Sequence, residues 1–265
     1  ETAEATESLQ GSTPQIVLYG SPGTGKTFVA EAFADHLTEG DRSRIQTVQF
    51  HPSYGYEDFI EGLRPEADET GNIQFRVVKG HLLNFVDSIK SSTGRHVLII
   101  DELNRANVPK VLGELLYLLE YRGRQIKLMN SGDFSLPANL SIIATMNTAD
   151  RSTGRLDSAL RRRFTFFDCP PSSTALRQFY ESGDATCTIS DLVQGFQELN
   201  NRITEDLDEH HQIGHTFFME QHLDPVKLQQ IWKRQVKPQL ADYFYDQPEV
   251  LASYSPEVFW VSLED

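Results

Sequence analysis

Eight consecutive residues near the start of the sequence have the types and spacing that bind phosphate. They follow an apolar run and precede a helical pattern, and they read Gly20-Ser21-Pro22-Gly23-Thr24-Gly25-Lys26-Thr27. Glycines let backbone N–H groups turn towards an anion, and the N-terminus of the following helix adds positive partial charge. We expect Lys26 to contact the β- and γ-phosphate oxygens and the Thr27 hydroxyl to coordinate Mg²⁺. The pattern therefore predicts a site for a magnesium–triphosphate complex.

Two carboxylates, Asp101 and Glu102, end the apolar run that starts at His96. This position is the carboxyl edge of a strand, where parallel sheets bind their ligands. Asp101 is predicted to hold the Mg²⁺ shell, and Glu102 to accept a proton from the attacking water or to orient it. A solvated strand end would explain the pair by itself, but the phosphate-binding pattern upstream favours the catalytic interpretation.

An amide and a charged pair follow the next apolar run, at Asn147, Asp150 and Arg151. In the expected strand order this run lies between the two strands already described, which would bring Asn147 near the γ-phosphate. An amide there can hydrogen-bond both the phosphate and the attacking water. A turn residue is the alternative for Asn147. Asp150 is a further catalytic candidate, although a salt bridge with Arg151 would explain it equally well.

Three arginines, Arg161, Arg162 and Arg163, end a helical pattern just before the last predicted strand. Positive charge at a helix C-terminus is the simpler interpretation. The functional one is an arginine finger, in which a guanidinium group stabilises the transition state on the γ-phosphate of a neighbouring subunit. The other motifs favour the finger, and Arg162 and Arg163 are the candidates. Spacing alone does not decide which arginine of 161–163, or Arg151, reaches the phosphate.

Alternating strands and helices must position these residues. The predicted strands are short β-branched or aromatic runs between polar turns, at 15–20, 45–51, 96–101, 140–147 and 164–169. Helical spacing of apolar residues predicts helices at 27–37 and 108–119, and turn residues around 130–133 predict a hairpin within 121–138. This alternation predicts an α/β fold with five strands in one parallel sheet.

The pattern changes after Pro170-Pro171, a pair that cannot continue a strand. Helical periodicity then predicts helices at 174–181, 191–207, 225–236 and 237–244. The predicted domains are a linker or disordered start at 1–13, an α/β nucleotide-binding core at 14–171 and an α-helical lid at 172–265.

Composition limits the function classes. The 265 residues carry a formal net charge of −14, which disfavours direct nucleic-acid binding because such binding needs clustered Lys and Arg. Two cysteines, Cys169 and Cys187, predict free thiols rather than a disulfide framework. No run approaches the roughly 20 apolar residues that span a bilayer, and no secretory pattern opens the sequence. We expect a cytoplasmic protein with no membrane contact.

Five stretches together resemble the AAA+ motor domain of the McrB family, the nucleotide-driven subunit of modification-dependent restriction systems. They are the phosphate-binding loop, HPSYGYEDFIEGLRP (51–65), LIIDELNRAN (98–107), ATMNTADRS (144–152) with ALRRRF (159–164), and IGHTFF (213–218). The resemblance implies an AAA+ P-loop NTPase core, in which a five-stranded parallel sheet is flanked by helices, and a small C-terminal α-helical lid. The MoxR-like ATPases share the DELNRA-type stretch, and MNTADRS distinguishes the two families.

The resemblance further implies a hexameric ring that hydrolyses GTP rather than ATP with Mg²⁺. It implies stimulation by a McrC-like nuclease subunit that acts on modified DNA, with DNA contacted indirectly or through a domain outside this sequence. The alternatives are a MoxR-like ATPase that remodels protein partners and a nucleotide-dependent assembly switch. Residues 51–65 are predicted to have a structural or interface role or to contact the base or a partner, and His215 is predicted to be packed rather than catalytic.

Overall fold

The computed structural model describes residues 4–5, 8–9, 14–67, 71–149 and 158–263 of the chain. Its strands within these ranges, in chain order, are β1 (Gln15–Gly20), β2 (Ile45–Gln49), β3 (Glu61–Ala67), β4 (Ile73–Lys79), β5 (His96–Asp101), β6 (Ile126–Leu128), β7 (Gly132–Phe134), β8 (Leu140–Asn147), β9 (Thr165–Asp168), β10 (Thr186–Cys187) and β11 (His222–Leu223).

Five of these strands form one parallel sheet in the order β2-β5-β8-β1-β9. The inner strands β5, β8 and β1 are buried along nearly their whole length, because their runs are apolar on both faces. The five-stranded parallel sheet predicted from the sequence is confirmed, and β8 lies between β5 and β1 as expected. The edge strands β2 and β9 are shorter than the apolar runs that predicted them.

Helices occur between and after the strands along the chain. They are α1 (Lys26–Leu37), α2 (Tyr56–Phe59), α3 (His81–Ile89), α4 (Val108–Leu112), α5 (Leu115–Glu120), α6 (Ser158–Arg161), α7 (Ser173–Glu181), α8 (Leu192–Asp206), α9 (Pro225–Ile231), α10 (Lys237–Tyr243), α11 (Pro248–Ala252) and α12 (Pro256–Phe259). A π-helical turn, Trp232–Val236, joins α9 to α10. Within the described ranges, no helix has the length and apolar character needed to cross a bilayer.

The single helix predicted over 108–119 is two helices, α4 and α5, because Gly113 interrupts it. Gly113 has φ +48° and ψ −127°, which no α-helix accommodates. The ring of Tyr56 fills the space beside it, since a Cβ on Gly113 would lie 3.1 Å from that ring. The Tyr56 hydroxyl also donates to Glu114 at 2.8 Å. A contact from a distant segment therefore stabilises the break.

Residues 51–65 include a buried aromatic cluster. Tyr54 stacks on Phe50 with ring centroids 4.7 Å apart, and Phe59 packs edge-on against Phe50 at 5.5 Å. The chain then forms the antiparallel pair β3–β4, which was not predicted. The pair carries exposed apolar side chains, Phe75 among them at 68% exposure, so burial gave no clue to it.

The hairpin predicted within 121–138 is present as the antiparallel pair β6–β7. The buried carboxylate of Glu61 fixes its turn, accepting from the Asn130 backbone N–H at 2.8 Å and from the Ser131 hydroxyl.

The chain divides into two compact units. The first consists of Glu1–Tyr19 and Lys26–Asp168, and contains most of the parallel sheet and its helices. The second consists of Gly20–Gly25 and Cys169–Asp265, so the first part of the glycine-rich loop belongs with the helical C-terminal part. Strand structure also occurs there as the two-residue pair β10–β11, although the sequence predicted helices alone.

Candidate active site

The glycine-rich loop, residues 20–27, lies between β1 and α1 in the chain, as predicted. Gly23 and Gly25 have φ of +75° and +79°, in the left-handed region that glycine adopts without strain. Thr24 Oγ1 donates to the Ser21 carbonyl at 3.1 Å within the loop. Lys26 is buried and begins the 12-residue helix α1, whose first amides carry positive partial charge. The loop therefore has the backbone shape that an anion-binding turn requires.

Three oxygen-bearing side chains of the first unit meet at the carboxyl end of β5. Thr27 Oγ1 donates to Asp101 Oδ1 at 3.0 Å, and Thr145 Oγ1 donates to the same oxygen at 2.6 Å. The Glu102 backbone N–H in turn donates to Thr145 Oγ1 at 3.1 Å. Thr145, which is 3% exposed, thus connects the two acidic residues through one hydroxyl. Thr27 and Asp101, which the sequence separately predicts to act on Mg²⁺, are therefore in direct contact.

Glu102 has a backbone conformation that few residues with a side chain adopt. Its φ and ψ of 57° and 46° lie in the left-handed region, which costs a non-glycine residue about 1–2 kcal/mol. This conformation accompanies a contact with Asn147, whose Nδ2 donates to Glu102 Oε1 at 2.7 Å. Arg105 Nε lies 3.4 Å from the other carboxylate oxygen. The carboxylate predicted to act on water is thus hydrogen-bonded to the amide that the sequence predicts near the γ-phosphate.

Thr145 and Asn104 belong to this site and were not singled out from the sequence. Asn104 is buried and donates through Nδ2 to the Asn147 carbonyl at 2.9 Å, which fixes the end of β8. Both residues lie in stretches quoted for the family resemblance, 98–107 and 144–152. Threonine and asparagine are also common at ordinary strand and turn positions, so residue type alone does not identify them as site residues. Their contacts are apparent only once the strands are packed together.

The arginine run has different surroundings at each position. Arg163 Nη2 contacts Glu120 Oε2 at 2.7 Å, with the Arg163 side chain 18% exposed. The Arg161 guanidinium carbon lies 5.9 Å from the centre of the Phe166 ring. Arg162 is exposed, and no described residue forms a hydrogen bond or ion pair with it. Of the two candidates for an arginine finger, Arg162 is therefore the one whose guanidinium is available to another molecule.

A buried polar network fixes the backbone that carries these arginines. Gln15 Nε2 donates to the carbonyls of Arg163 and Leu119, at 2.7 Å each. Arg122 Nη2 donates to Gln15 Oε1 at 2.9 Å, and Arg122 also donates to the Leu140 carbonyl at 2.9 Å. Burial lowers the pKa of Arg122 to about 10. The network ties the start of β1 to the arginine run.

The sequence also assigned roles to Asp150 and His215. Asp150 and its neighbour Arg151 lie outside the described residues. His215 is 8% exposed, and its Nδ1 accepts a hydrogen bond from the Ser172 backbone N–H at 3.1 Å. Burial lowers the pKa of His215, which favours the neutral ring. The packed environment predicted for His215 is present.

The residues at the end of β5 fit a Mg²⁺ ion. Mg²⁺ prefers oxygen ligands and is usually held by one or two protein groups, with water and phosphate oxygens completing its shell. The Thr27 hydroxyl and the Asp101 carboxylate, 3.0 Å apart, supply such oxygens. Within the described part of the chain, no group of three or more His, Cys, Asp or Glu residues could hold a metal by itself. Any Mg²⁺ here would therefore need ligands from water and substrate.

The strand order, the glycine-rich loop after β1 and the carboxylate pair after β5 define a P-loop NTPase domain of the AAA type. Comparison with known families supports this class. The family described as "AAA domain (dynein-related subfamily)" matches residues 15–164, and that described as "McrB, alpha-helical lid domain" matches residues 191–252.

Known proteins extend the match. The chain is 38% identical over 255 residues to the type IV methyl-directed restriction enzyme EcoKMcrB subunit of Escherichia coli strain K12, covering 88% of this chain and 54% of that protein. It is 30% identical over 190 residues to the type II restriction enzyme BsuMI component YdiS of Bacillus subtilis strain 168, covering 57% of this chain and 55% of that protein. The chain thus spans about half the length of these curated relatives. It belongs to the McrB family of AAA+ domains.

Proposed function

We propose that this chain hydrolyses a nucleoside triphosphate, GTP in preference to ATP, as the ring-forming motor of a McrBC-like restriction complex. The observation that carries the proposal is the hydrogen-bonded network at the ends of β5 and β8. It joins Thr27, Asp101, Thr145, Glu102 and Asn147 within 3.1 Å contacts. A domain that only held nucleotide would not need a carboxylate oriented for proton transfer by a neighbouring amide.

The residues of this network would divide the reaction between them. Backbone amides of the glycine-rich loop and the Lys26 ammonium group bind phosphate oxygens, while Thr27 and Asp101 hold Mg²⁺. The bound metal ion would neutralise charge on the phosphate oxygens. Glu102 accepts a proton as water attacks the γ-phosphorus and the bond to the β–γ bridging oxygen breaks. Asn147 keeps the Glu102 carboxylate in one orientation, since it donates to it at 2.7 Å.

The arginine contribution would come from a neighbouring copy. Arg162 is exposed and makes no polar contact with the described residues, whereas Arg163 is already paired with Glu120. We therefore assign the finger to Arg162 and a supporting role to Arg163. A site that needs a neighbour's guanidinium is incomplete in a monomer, which supports a closed ring. A hexamer is the ring size implied by the family resemblance.

The printed names of two relatives support the proposed biological role. Both curated relatives reported above are named as restriction-enzyme components. The proposed partner is a McrC-like nuclease subunit that stimulates hydrolysis. With a net charge of −14, this chain would contact DNA indirectly or through a domain outside this sequence. Similarity to the McrB lid over 191–252 favours this role over a MoxR-like remodelling ATPase.

Hydrolysis of GTP and ATP by the purified chain with Mg²⁺ tests the proposal. Lys26→Ala should abolish tight triphosphate binding, because it removes the charge aimed at the β- and γ-phosphate oxygens. Glu102→Gln should keep nucleotide bound while turnover falls roughly 10²–10⁴-fold, the usual contribution of a general base. Glu31→Gln, on an exposed position of α1, is the matched control and should behave as the wild type.

Three outcomes of these measurements separate the competing functions. Wild-type turnover in the Glu102→Gln protein would contradict the catalytic assignment. Binding without hydrolysis in the wild-type chain, with and without a nuclease partner, would favour the assembly switch. Faster turnover of ATP than of GTP would refute the proposed base preference.

A further inference from the structure

Residues 213–218, here called the lid segment, are anchored at both ends within the second unit. Asn200 on α8 is 5% exposed and makes two hydrogen bonds to the Ile213 backbone. Its Nδ2 donates to the Ile213 carbonyl at 3.0 Å, and its Oδ1 accepts from the Ile213 N–H at 2.7 Å. The Asn200 side chain therefore pairs with both the N–H and the carbonyl of Ile213 and fixes the start of the segment.

The other end of the lid segment is fixed by aromatic packing. Phe218 is fully buried and contacts Phe196 and Trp260, with ring centroids 5.7 Å and 5.5 Å away. Tyr180 donates through its hydroxyl to the Phe218 carbonyl at 2.6 Å. The residues between Ile213 and Phe218 are thus fixed at both ends.

The residues between these ends contact residues 20–25 of the glycine-rich loop, which belong to the same unit. Gly214 N–H donates to the Pro22 carbonyl at 3.0 Å. The Thr216 N–H and hydroxyl both donate to the Gly23 carbonyl, at 3.0 Å and 2.8 Å. Two successive loop carbonyls are therefore bonded by the lid segment. Because a phosphate-binding loop directs its N–H groups at the anion, its carbonyls need hydrogen-bond donors on the opposite side.

Two glycines allow this close approach. A Cβ on Gly214 would lie 1.9 Å from the backbone carbon and oxygen of Gly23, so no side chain fits there. A Cβ on Gly23 would lie 2.5 Å from the Phe217 ring, and Gly23 also needs its positive φ. The lid segment therefore requires a glycine at position 23 of the loop, and the loop requires a glycine at position 214 of the lid segment.

We propose that the lid segment is a positioning element for the phosphate-binding loop, with Gly214 and Thr216 as its positioning residues. The inference rests on the proposed function, because it concerns how the same loop is kept ready for a triphosphate. By satisfying the Pro22 and Gly23 carbonyls, the segment holds the loop in the conformation that leaves its amides for phosphate. Linkage then requires that nucleotide binding stabilise the contact in return.

The Thr216 hydroxyl provides the cleanest test, because this residue is exposed and its replacement removes one hydrogen bond without opening the core. Thr216→Val should weaken binding of a fluorescent non-hydrolysable GTP analogue with Mg²⁺ about two- to tenfold. Thr216→Ser keeps the hydroxyl and should bind as tightly as the wild type. The kcat at saturating GTP should stay within about twofold of the wild-type value in both proteins, since Thr216 touches no reacting atom. The same titrations with an ATP analogue cover the other base.

Gly214→Ala is the second variant and should weaken analogue binding by at least about tenfold, because its Cβ displaces the Gly23 carbonyl. Circular dichroism and the melting temperature without nucleotide establish that each variant is folded. If the wild type binds the analogues while folded Thr216→Val and Gly214→Ala proteins bind equally tightly, the positioning role is refuted and the proposed function stands. If Gly214→Ala does not fold, the comparison of Thr216→Val with Thr216→Ser decides by itself. If the wild type binds neither analogue, the proposed function fails and this inference fails with it.

Discussion

Replacement of Thr145 by valine removes the hydroxyl that connects the two acidic residues and leaves the shape of the side chain nearly unchanged. In the wild type, Thr145 Oγ1 donates to Asp101 Oδ1 at 2.6 Å and accepts from the Glu102 N–H at 3.1 Å. Valine can do neither. The substitution therefore tests whether this hydroxyl maintains the left-handed backbone of Glu102 and the position of the Asp101 carboxylate.

The expected magnitude follows from these two contacts. A hydrogen bond to a charged group contributes about 1.5–3 kcal/mol, and leaving a buried N–H unpaired costs about 1–3 kcal/mol. Thr145 is 3% exposed, so water does not readily replace the hydroxyl. Asp101 keeps its bond from Thr27, which reduces the loss. We expect Thr145→Val to lower the free energy of unfolding by about 2–4 kcal/mol and to slow hydrolysis more than it weakens nucleotide binding.

Urea unfolding of the nucleotide-free protein and steady-state hydrolysis of GTP measure these effects. Thr145→Ser restores the hydroxyl and should recover most of the turnover. Thr47→Val, at an exposed position of the edge strand β2, controls for the change from threonine to valine. A Thr145→Val protein with wild-type turnover and a loss of stability no larger than that of Thr47→Val would refute the role assigned to this hydroxyl.

Two further outcomes are expected. Arg162→Ala should bind nucleotide but hydrolyse it about 10³–10⁵-fold more slowly. Mixing it with Lys26→Ala subunits should restore turnover, because these subunits supply the missing guanidinium. Mixed rings that stay inactive would count against action in trans. Burial lowers the pKa of His215 below 6.5, so the stability gained from its neutral ring is present above about pH 6.5 and is lost as pH falls through the lower folded-state pKa. His215→Asn keeps an acceptor for the Ser172 N–H and does not titrate, so its melting temperature should fall less than that of the wild type between about pH 8 and about pH 5. His36→Asn, at an exposed position, should leave the wild-type pH dependence intact, and an equal fall in all three proteins would contradict the assignment.

Local sequence patterns were sufficient to predict structure where burial and chain geometry act on neighbouring residues. The runs of β1, β5 and β8 are apolar on both faces, so their strand structure and their place inside the sheet could be predicted. The β3–β4 pair was missed because its apolar side chains are exposed, and exposure gives no periodic contrast with polar residues. The break at Gly113 was missed because Tyr56, distant in the chain, occupies the space beside it.

Residue types and their spacing are enough to establish which chemical groups are present and at which end of which strand they occur. The phosphate-binding pattern at 20–27, the Asp101–Glu102 pair and Asn147 could each be found from residue type and neighbouring periodicity. Which of these groups contact one another is set by the tertiary structure. It paired Arg163 with Glu120 and left Arg162 exposed, and it linked Asp101 to Glu102 through Thr145. It also brought Thr216 to the Gly23 carbonyl. These contacts join residues far apart in the chain, and their distances depend on how strands and helices pack rather than on any local pattern.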